Sequence, residues 1–182
     1  MILCILGFSA SGKDAVSLEI INKLGFTKIV QHTTRPRRES ETLEFDYNFI
    51  SIREFEKGIA NQEFVSSREF NTIEGKWYYG IKKDAVNLNE KEILILDIEG
   101  LIELKRNIGS TNILSVFIDV GYDYRLERVK NRIDVDLVEF KRRAIDDELK
   151  KGLIINECNA TVKNIQLDKC ILEIQKIIEA HN

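Results

Sequence analysis

The stretch Gly7-Phe8-Ser9-Ala10-Ser11-Gly12-Lys13-Asp14 follows the pattern G-x-x-x-x-G-K, with Asp14 where a Ser or Thr is usual. Glycines at this spacing let backbone N–H groups close around an anion, and the lysine reaches the outer phosphates of a nucleoside triphosphate. The flanks supply the context that such a loop needs. Ile2 to Leu6 is continuously apolar, as a strand buried on both faces should be. Ala15, Val16, Leu18, Ile20, Ile21 and Leu24 then recur at helical spacing until Gly25, a C-terminal stop. Strand, loop and helix together make Gly7, Ser9, Ala10, Ser11, Gly12, Lys13 and Asp14 the expected phosphate site.

Phosphoryl transfer needs cations and a metal around the moving group more than it needs covalent help. Asp97 ends an apolar run from Glu92 to Ile98, where an acidic residue holds Mg²⁺ directly or through water; the other reading is a carboxylate that caps the strand end. Asp14 replaces a metal-ligating hydroxyl with another hard oxygen donor, so strict metal dependence is expected. Arg35, Arg37 and Arg38 form a basic cluster whose guanidinium forks suit a second phosphorylated ligand. Tyr47 and Tyr79 carry hydroxyls that could join them. Arg128, Arg132, Arg142 and Arg143 lie on late charged helices, and their spacing fits either a lid closing on the transferred group or salt-bridged surface.

These residues need a frame. The 182 residues, 43% hydrophobic and 31% charged, form one ordinary globular domain with a full core. A formal net charge of -3 gives no reason to expect nucleic acid as a partner. No apolar run approaches the about 18 residues of a membrane span, and no secretory signal is recognised, so a cytoplasmic protein is expected. Cys4, Cys158 and Cys170 are scattered and lack metal-ligand spacing, which reads as reduced thiols. Thr27 to Gln31 is a strand candidate. From Thr33 to Gly80 the chain turns polar and aromatic, with a helix over Ile52 to Ile59 and strands at Glu63 to Ser67 and Trp77 to Tyr79. Then α/β alternation resumes: a strand to Ile98, a helix at Gly100 to Asn107, a strand at Asn112 to Ile118. Helices at Tyr122 to Asn131 and Val135 to Lys151 follow, then a strand at Thr161 to Lys163. A last helix carries Leu167, Ile171, Ile174 and Ile178. This order predicts an α/β fold, a parallel sheet covered by helices on both faces, with ligands at the carboxyl ends of its strands.

On these motifs the chain resembles the guanylate kinases over nearly its whole length. The matching segments are Thr33-Thr34-Arg35-Pro36-Arg37-Arg38, Asp46-Tyr47-Asn48-Phe49, Ser51-x-x-Glu54-Phe55, Tyr78-Tyr79-Gly80 and Leu96-Asp97-Ile98. The resemblance implies a P-loop NTPase-type core (1–32, 81–121 and 152–182), an acceptor-binding β-rich insertion (33–80) and a helical lid (122–151). It implies ATP and Mg²⁺, small-molecule nucleotide substrates, and a monomer or homodimer. Arg128 and Asn164 would join the loop in binding ATP, with Asn164 beside the adenine. Arg35, Arg38, Tyr47 and Tyr79 would hold the acceptor phosphate, and Lys13, Arg35, Arg132 and Arg143 would act on the transferred group.

The departures fall on the base. Gln31 and Ser66 stand where the family reads guanine with Ser and Glu, and Ile81 where it often has Ser or Thr; Glu99 keeps an acidic position. Ser66 cannot accept as a carboxylate does, so weaker base discrimination is expected unless Glu69 or Glu74 swings in. Gly-Lys-Asp is also similar to ribose bisphosphate phosphokinases and to phage deoxynucleoside monophosphate kinases, which makes those acceptors the alternative to GMP or dGMP. Guanylate-kinase-like scaffold modules that bind phosphopeptides typically lose the loop lysine, and Lys13 is retained.

Overall fold

The computed structural model describes residues 1–37, 41, 47–72, 75–131 and 137–181. Its main sheet has the order β2-β7-β1-β8-β9, built from β1 (Ile2–Gly7), β2 (Thr27–Lys28), β7 (Glu92–Ile95), β8 (Ile113–Asp119) and β9 (Ala160–Lys163). Every pairing in it is parallel. Period-two alternation along the central strand feeds a separate core on each face. Ile2, Cys4 and Leu6 pack with Leu94, Leu101, Leu104 and Phe117 on one side. Leu3 and Ile5 pack with Val16, Ile20, Ile171 and Ile174 on the other. The first core is roofed by α3 (Ile98–Ile108) and α5 (Leu137–Glu157), the second by α1 (Lys13–Leu24) and α6 (Leu167–His181). The expected fold class is therefore present.

A second sheet, β4-β3-β6-β5, contains β3 (Gln31–Thr33), β4 (Tyr47–Phe49), β5 (Phe64–Thr72) and β6 (Gly75–Lys82). The strand expected over Thr27 to Gln31 is thus two strands in different sheets. Ile29 still bonds to the Ile93 carbonyl, and beyond it the chain crosses to pair with Tyr47 and Gly80. The hairpin strands run longer than expected, because Phe70, Trp77 and Tyr79 keep packing along a half-exposed ribbon. The strand expected to reach Ile98 stops at Ile95, since the Asp97 carboxylate takes the Gly100 N–H at 2.7 Å and starts α3. The helix α2 (Ile52–Ala60) begins at a capping box, with Ser51 and Glu54 exchanging hydrogen bonds. The remaining helix, α4 (Tyr122–Lys130), follows β8 and leads towards α5.

Gly80 sits where β6 meets a stacked Phe55–Phe64 pair whose ring centroids are 4.4 Å apart. A Cβ there would lie 2.7 Å from Phe64 and 2.8 Å from Phe55. We expect Gly80→Ala to destabilise the protein by about 1–3 kcal/mol through overpacking, read as a lower urea midpoint. An unchanged midpoint would mean the rings can yield.

Candidate active site

The glycine loop leaves β1 at the sheet's carboxyl edge and is held from behind. Arg128 on α4 donates to the Ser11 carbonyl at 2.9 Å and the Ala10 carbonyl at 3.3 Å. Asn164 donates to the Ser11 carbonyl at 2.9 Å. With its carbonyls so engaged, the loop can turn N–H groups outward. Gly12 has φ +87° and an added Cβ would meet the Asn164 amide at 2.6 Å, so both conformation and space require glycine. Ala10 accepts φ +63° without being glycine. Lys13 Nζ donates to the Phe8 carbonyl at 3.1 Å, and Asp14 is exposed on the first turn of α1. The Ser11 hydroxyl is buried and has no hydrogen-bond partner.

Arg125, fully buried, ties this loop to α5. Its guanidinium lies 4.9 Å from the Phe8 ring centroid and donates to the Val120 carbonyl, to Asp147 at 3.2 Å and to Glu148 at 3.3 Å. Asp147 also accepts the Ser9 backbone N–H at 3.0 Å, a bond of the kind a phosphate oxygen makes. Burial raises the Asp147 carboxyl above its ordinary range, against the pull of the Ser9 N–H and Arg125. The sequence reading missed both residues. No sequence signal marked them, because an arginine or aspartate on a strongly charged helix reads as surface.

Across a cleft of about 560 Å³ lies the second sheet's contribution, with Lys13, Gln31, Tyr47, Ser66, Arg68, Tyr79, Asp97 and Arg143 all in the walls. Arg35 is buried, donates from Nε to the Tyr79 hydroxyl at 3.1 Å, and makes a fork with both Glu41 oxygens at 3.0 and 2.5 Å. That is the bidentate geometry guanidinium also uses with phosphate. Thr33 and Thr34 bond to the Tyr78 backbone at 2.9 Å each, which fixes where Arg35 leaves the strand. Tyr47 packs edge-on to Tyr79, and burial above all pushes its hydroxyl up to about 12, so it stays a donor.

Gln31 donates to the Ile95 carbonyl at 2.7 Å, and Ser66 donates to Glu103 on α3 at 2.8 Å. Glu69 lies on the opposite face of β5, paired with Lys76 at 2.8 Å, so it is not the substitute carboxylate. Asp97 caps α3 with one oxygen and stands 3.5 Å from Arg68 with the other. Burial raises its carboxyl, opposed by the Gly100 N–H and Arg68. Glu99 is bridged between Lys150 at 2.6 Å and Arg68 at 3.6 Å. Burial pushes the Glu99 carboxyl up, but the Lys150 bond, a backbone N–H bond and the charges of Lys150 and Arg68 together outweigh it and leave the group below its ordinary range. Arg68, absent from the expected site, shares one strand face with Ser66 and Phe70, and that alternation was its signal. Arg143 is exposed and donates to Glu139 at 2.7 Å; hydrogen bonds from Arg142 and Arg143 pull that carboxyl to about 2. Arg38, Arg132 and Glu74 lie outside the described residues.

Asp14 on the first turn of α1 and Asp97 in the cleft wall offer carboxylate oxygens besides Asp147, which is engaged by Ser9 and Arg125, and no cluster of three or more His, Cys, Asp or Glu occurs among the described residues. That donor set suits Mg²⁺, which takes one or two carboxylates together with phosphate and water oxygens. A larger cleft of about 660 Å³, between Ile59, Val86, Leu88 and Ile108, holds none of the expected site residues.

Arg125→Ala should cost about 3–5 kcal/mol, towards the lower end because Asp147 and Glu148 keep solvent contact; chemical denaturation measures it, and a loss near zero would remove Arg125 as the anchor. Alkaline stability offers a second check. Because folding raises the Tyr47 hydroxyl, its contribution is complete below the unfolded value near 10 and is lost as pH rises through about 12. Tyr47→Phe should flatten that decline in a pH series of melting curves.

A family model described as guanylate kinase matches residues 1–181. A guanylate kinase of Mesomycoplasma hyopneumoniae strain 7448 is 31% identical over 192 residues, covering 97% of this chain and 93% of that protein. One from Fusobacterium nucleatum is 24% identical over 176 residues, covering 95% and 92%. Among solved structures, a guanylate kinase from Anaplasma phagocytophilum superposes with a TM-score of 0.69 at 20% identity, covering 99% of this chain and 85% of that one, a likeness of fold. By the reach of the family match and the identity of these relatives, the chain belongs to the guanylate kinase family.

Proposed function

We propose that the protein transfers the γ-phosphoryl group of ATP to a nucleoside monophosphate, with GMP or dGMP as acceptor. The observation that carries this reading is one cleft with phosphate-binding chemistry on both walls: Lys13 and the glycine loop on one, Tyr47 and Tyr79 on the other, with the buried Arg35 bonded to the Tyr79 hydroxyl. A donor and an acceptor phosphate held there face each other. Fixing them in line converts a bimolecular encounter into a unimolecular step, and water leaves the cleft as the ligands enter.

In this reading Gly7, Ser9, Ala10, Ser11 and Gly12 cradle the donor phosphates through backbone N–H groups. Arg128 and Asn164 support that cradle from behind, as their bonds to Ser11 favour. Lys13 and Arg143 meet the charge that spreads over the transferred group. Arg35, Tyr47 and Tyr79 orient the acceptor phosphate, with the Tyr47 hydroxyl held protonated. Asp14 and Asp97 would hold Mg²⁺, which when bound neutralises phosphate charge. Gln31, Ser66 and Glu99 face the remainder of the acceptor. The retained Lys13 favours a kinase over a phosphopeptide-binding module.

Lys13→Met should lower turnover by at least about 10²–10³-fold while leaving the melting curve in place. Chelation of divalent metal should stop ADP release, and added Mg²⁺ should restore it. A coupled ADP assay across GMP, dGMP, AMP, dTMP and ribose 1,5-bisphosphate tests the acceptor. Activity surviving in Lys13→Met, or no turnover with any nucleoside monophosphate, would overturn the assignment.

A further inference from the structure

Hydrogen-bond sense in the acceptor wall is fixed by partners that can only accept. The Ile95 carbonyl accepts a hydrogen bond from the Gln31 amide, so the amide nitrogen of Gln31 faces the sheet and its oxygen lies on the other side. The Glu103 carboxylate accepts hydrogen bonds from the Ser66 hydroxyl at 2.8 Å and the Ser67 backbone N–H at 3.0 Å through the same oxygen. Ser66 is buried, and it lines the acceptor cleft together with Gln31. With its proton committed to Glu103, its oxygen has only lone pairs to present to a ligand. A hydroxyl free to rotate would accept or donate equally well.

We propose that Glu103 is a positioning residue for base selection. By holding the Ser66 proton it makes Ser66 an obligate acceptor, which selects a base edge that offers N–H donors over one that offers a lone pair at that place. This rests on the cleft binding a nucleoside monophosphate. Guanine presents N–H groups along its pairing edge, whereas adenine presents a ring-nitrogen lone pair beside its amino group. Glu103 itself does not line the cleft, so it acts through Ser66. The carboxylate that Ser66 lacks is thus supplied from α3, 37 residues along the chain.

The test measures KM and kcat with GMP and AMP at saturating ATP. It also measures nucleotide affinity from the fluorescence of Trp77, the single tryptophan, which lines the same cleft. Ser66→Ala should weaken GMP by about tenfold in KM and affinity, the worth of one hydrogen bond. Glu103→Ala leaves a Ser66 hydroxyl that still accepts from guanine but can now donate to adenine, so it should tighten AMP by about tenfold and change GMP turnover little. The double variant should match Ser66→Ala alone. Glu103→Gln, whose amide oxygen can still accept from Ser66, should keep near-normal GMP preference. Normal turnover with an unchanged GMP-to-AMP ratio in Glu103→Ala would overturn the proposal and leave the kinase reading intact. A GMP-to-AMP affinity ratio that depends on Glu103, without turnover, would do the reverse. A wild-type protein that binds neither nucleotide would overturn both.

Discussion

The geometry of the cleft depends on one buried cation. Arg125 sits beneath the glycine loop with no solvent exposure, against Phe8, and joins the end of β8 through Val120 to α5 through Asp147 and Glu148. Taking a guanidinium out of water is costly unless its donors are met, and here the Val120 and Ser9 carbonyls, two carboxylates and an aromatic face meet them. A partly satisfied arginine would be worse than an apolar side chain, so these groups are constrained together. Loop, sheet edge and helix therefore share one position, and α5 brings Glu139, Arg142 and Arg143 over the cleft from that fixed point.

Carboxylates of the protein make two of the bonds that a phosphate would want. Asp147 accepts from Ser9 N–H, and Glu41 takes the fork of Arg35. Both are charge-assisted, and both keep buried or half-buried donors satisfied. A phosphate entering either place brings more negative charge and more oxygens, so it can replace the carboxylate without leaving a donor bare. In the proposed reading the same donors pair with protein or ligand, and binding is an exchange of anions. The cost of ordering Arg35 is met largely in advance, because Thr33 and Tyr79 hold it from the strand side.

The main sheet was legible because its strands are buried on both faces, and an unbroken apolar run as short as Ile2 to Leu6 suits few places besides a covered strand. The loop was legible for a related reason: glycine, lysine and flanking elements must occur in order along the chain. The second sheet was harder. Phe64–Thr72 and Gly75–Lys82 mix polar and aromatic residues because one face meets solvent, so their lengths emerge only from pairing. The break after Lys28 was hidden, since Ile29 still bonds to β7 while Gln31 already belongs to the other sheet. Arg125 and Glu103 were invisible for a deeper reason. An arginine or glutamate on a helix reads as surface, and only contacts far along the chain, from Arg125 to Ser9 or from Glu103 to Ser66, make it otherwise.

Chemistry and selectivity therefore have different visibility in this chain. In the proposed reading, groups that handle phosphate act as charges at backbone-defined places, so residue type and spacing announce them. The groups proposed to face the base act through the sense of a hydrogen bond, which belongs to a pair and not to a residue. Ser66 alone can donate or accept; Ser66 with Glu103 behind it accepts. Arg68 shows the same dependence: with Asp97 and Glu99 within ion-pair reach, it screens charge within the cleft wall. A substitution at one base-facing position is thus an incomplete description of what the cleft selects until the partner behind it is known.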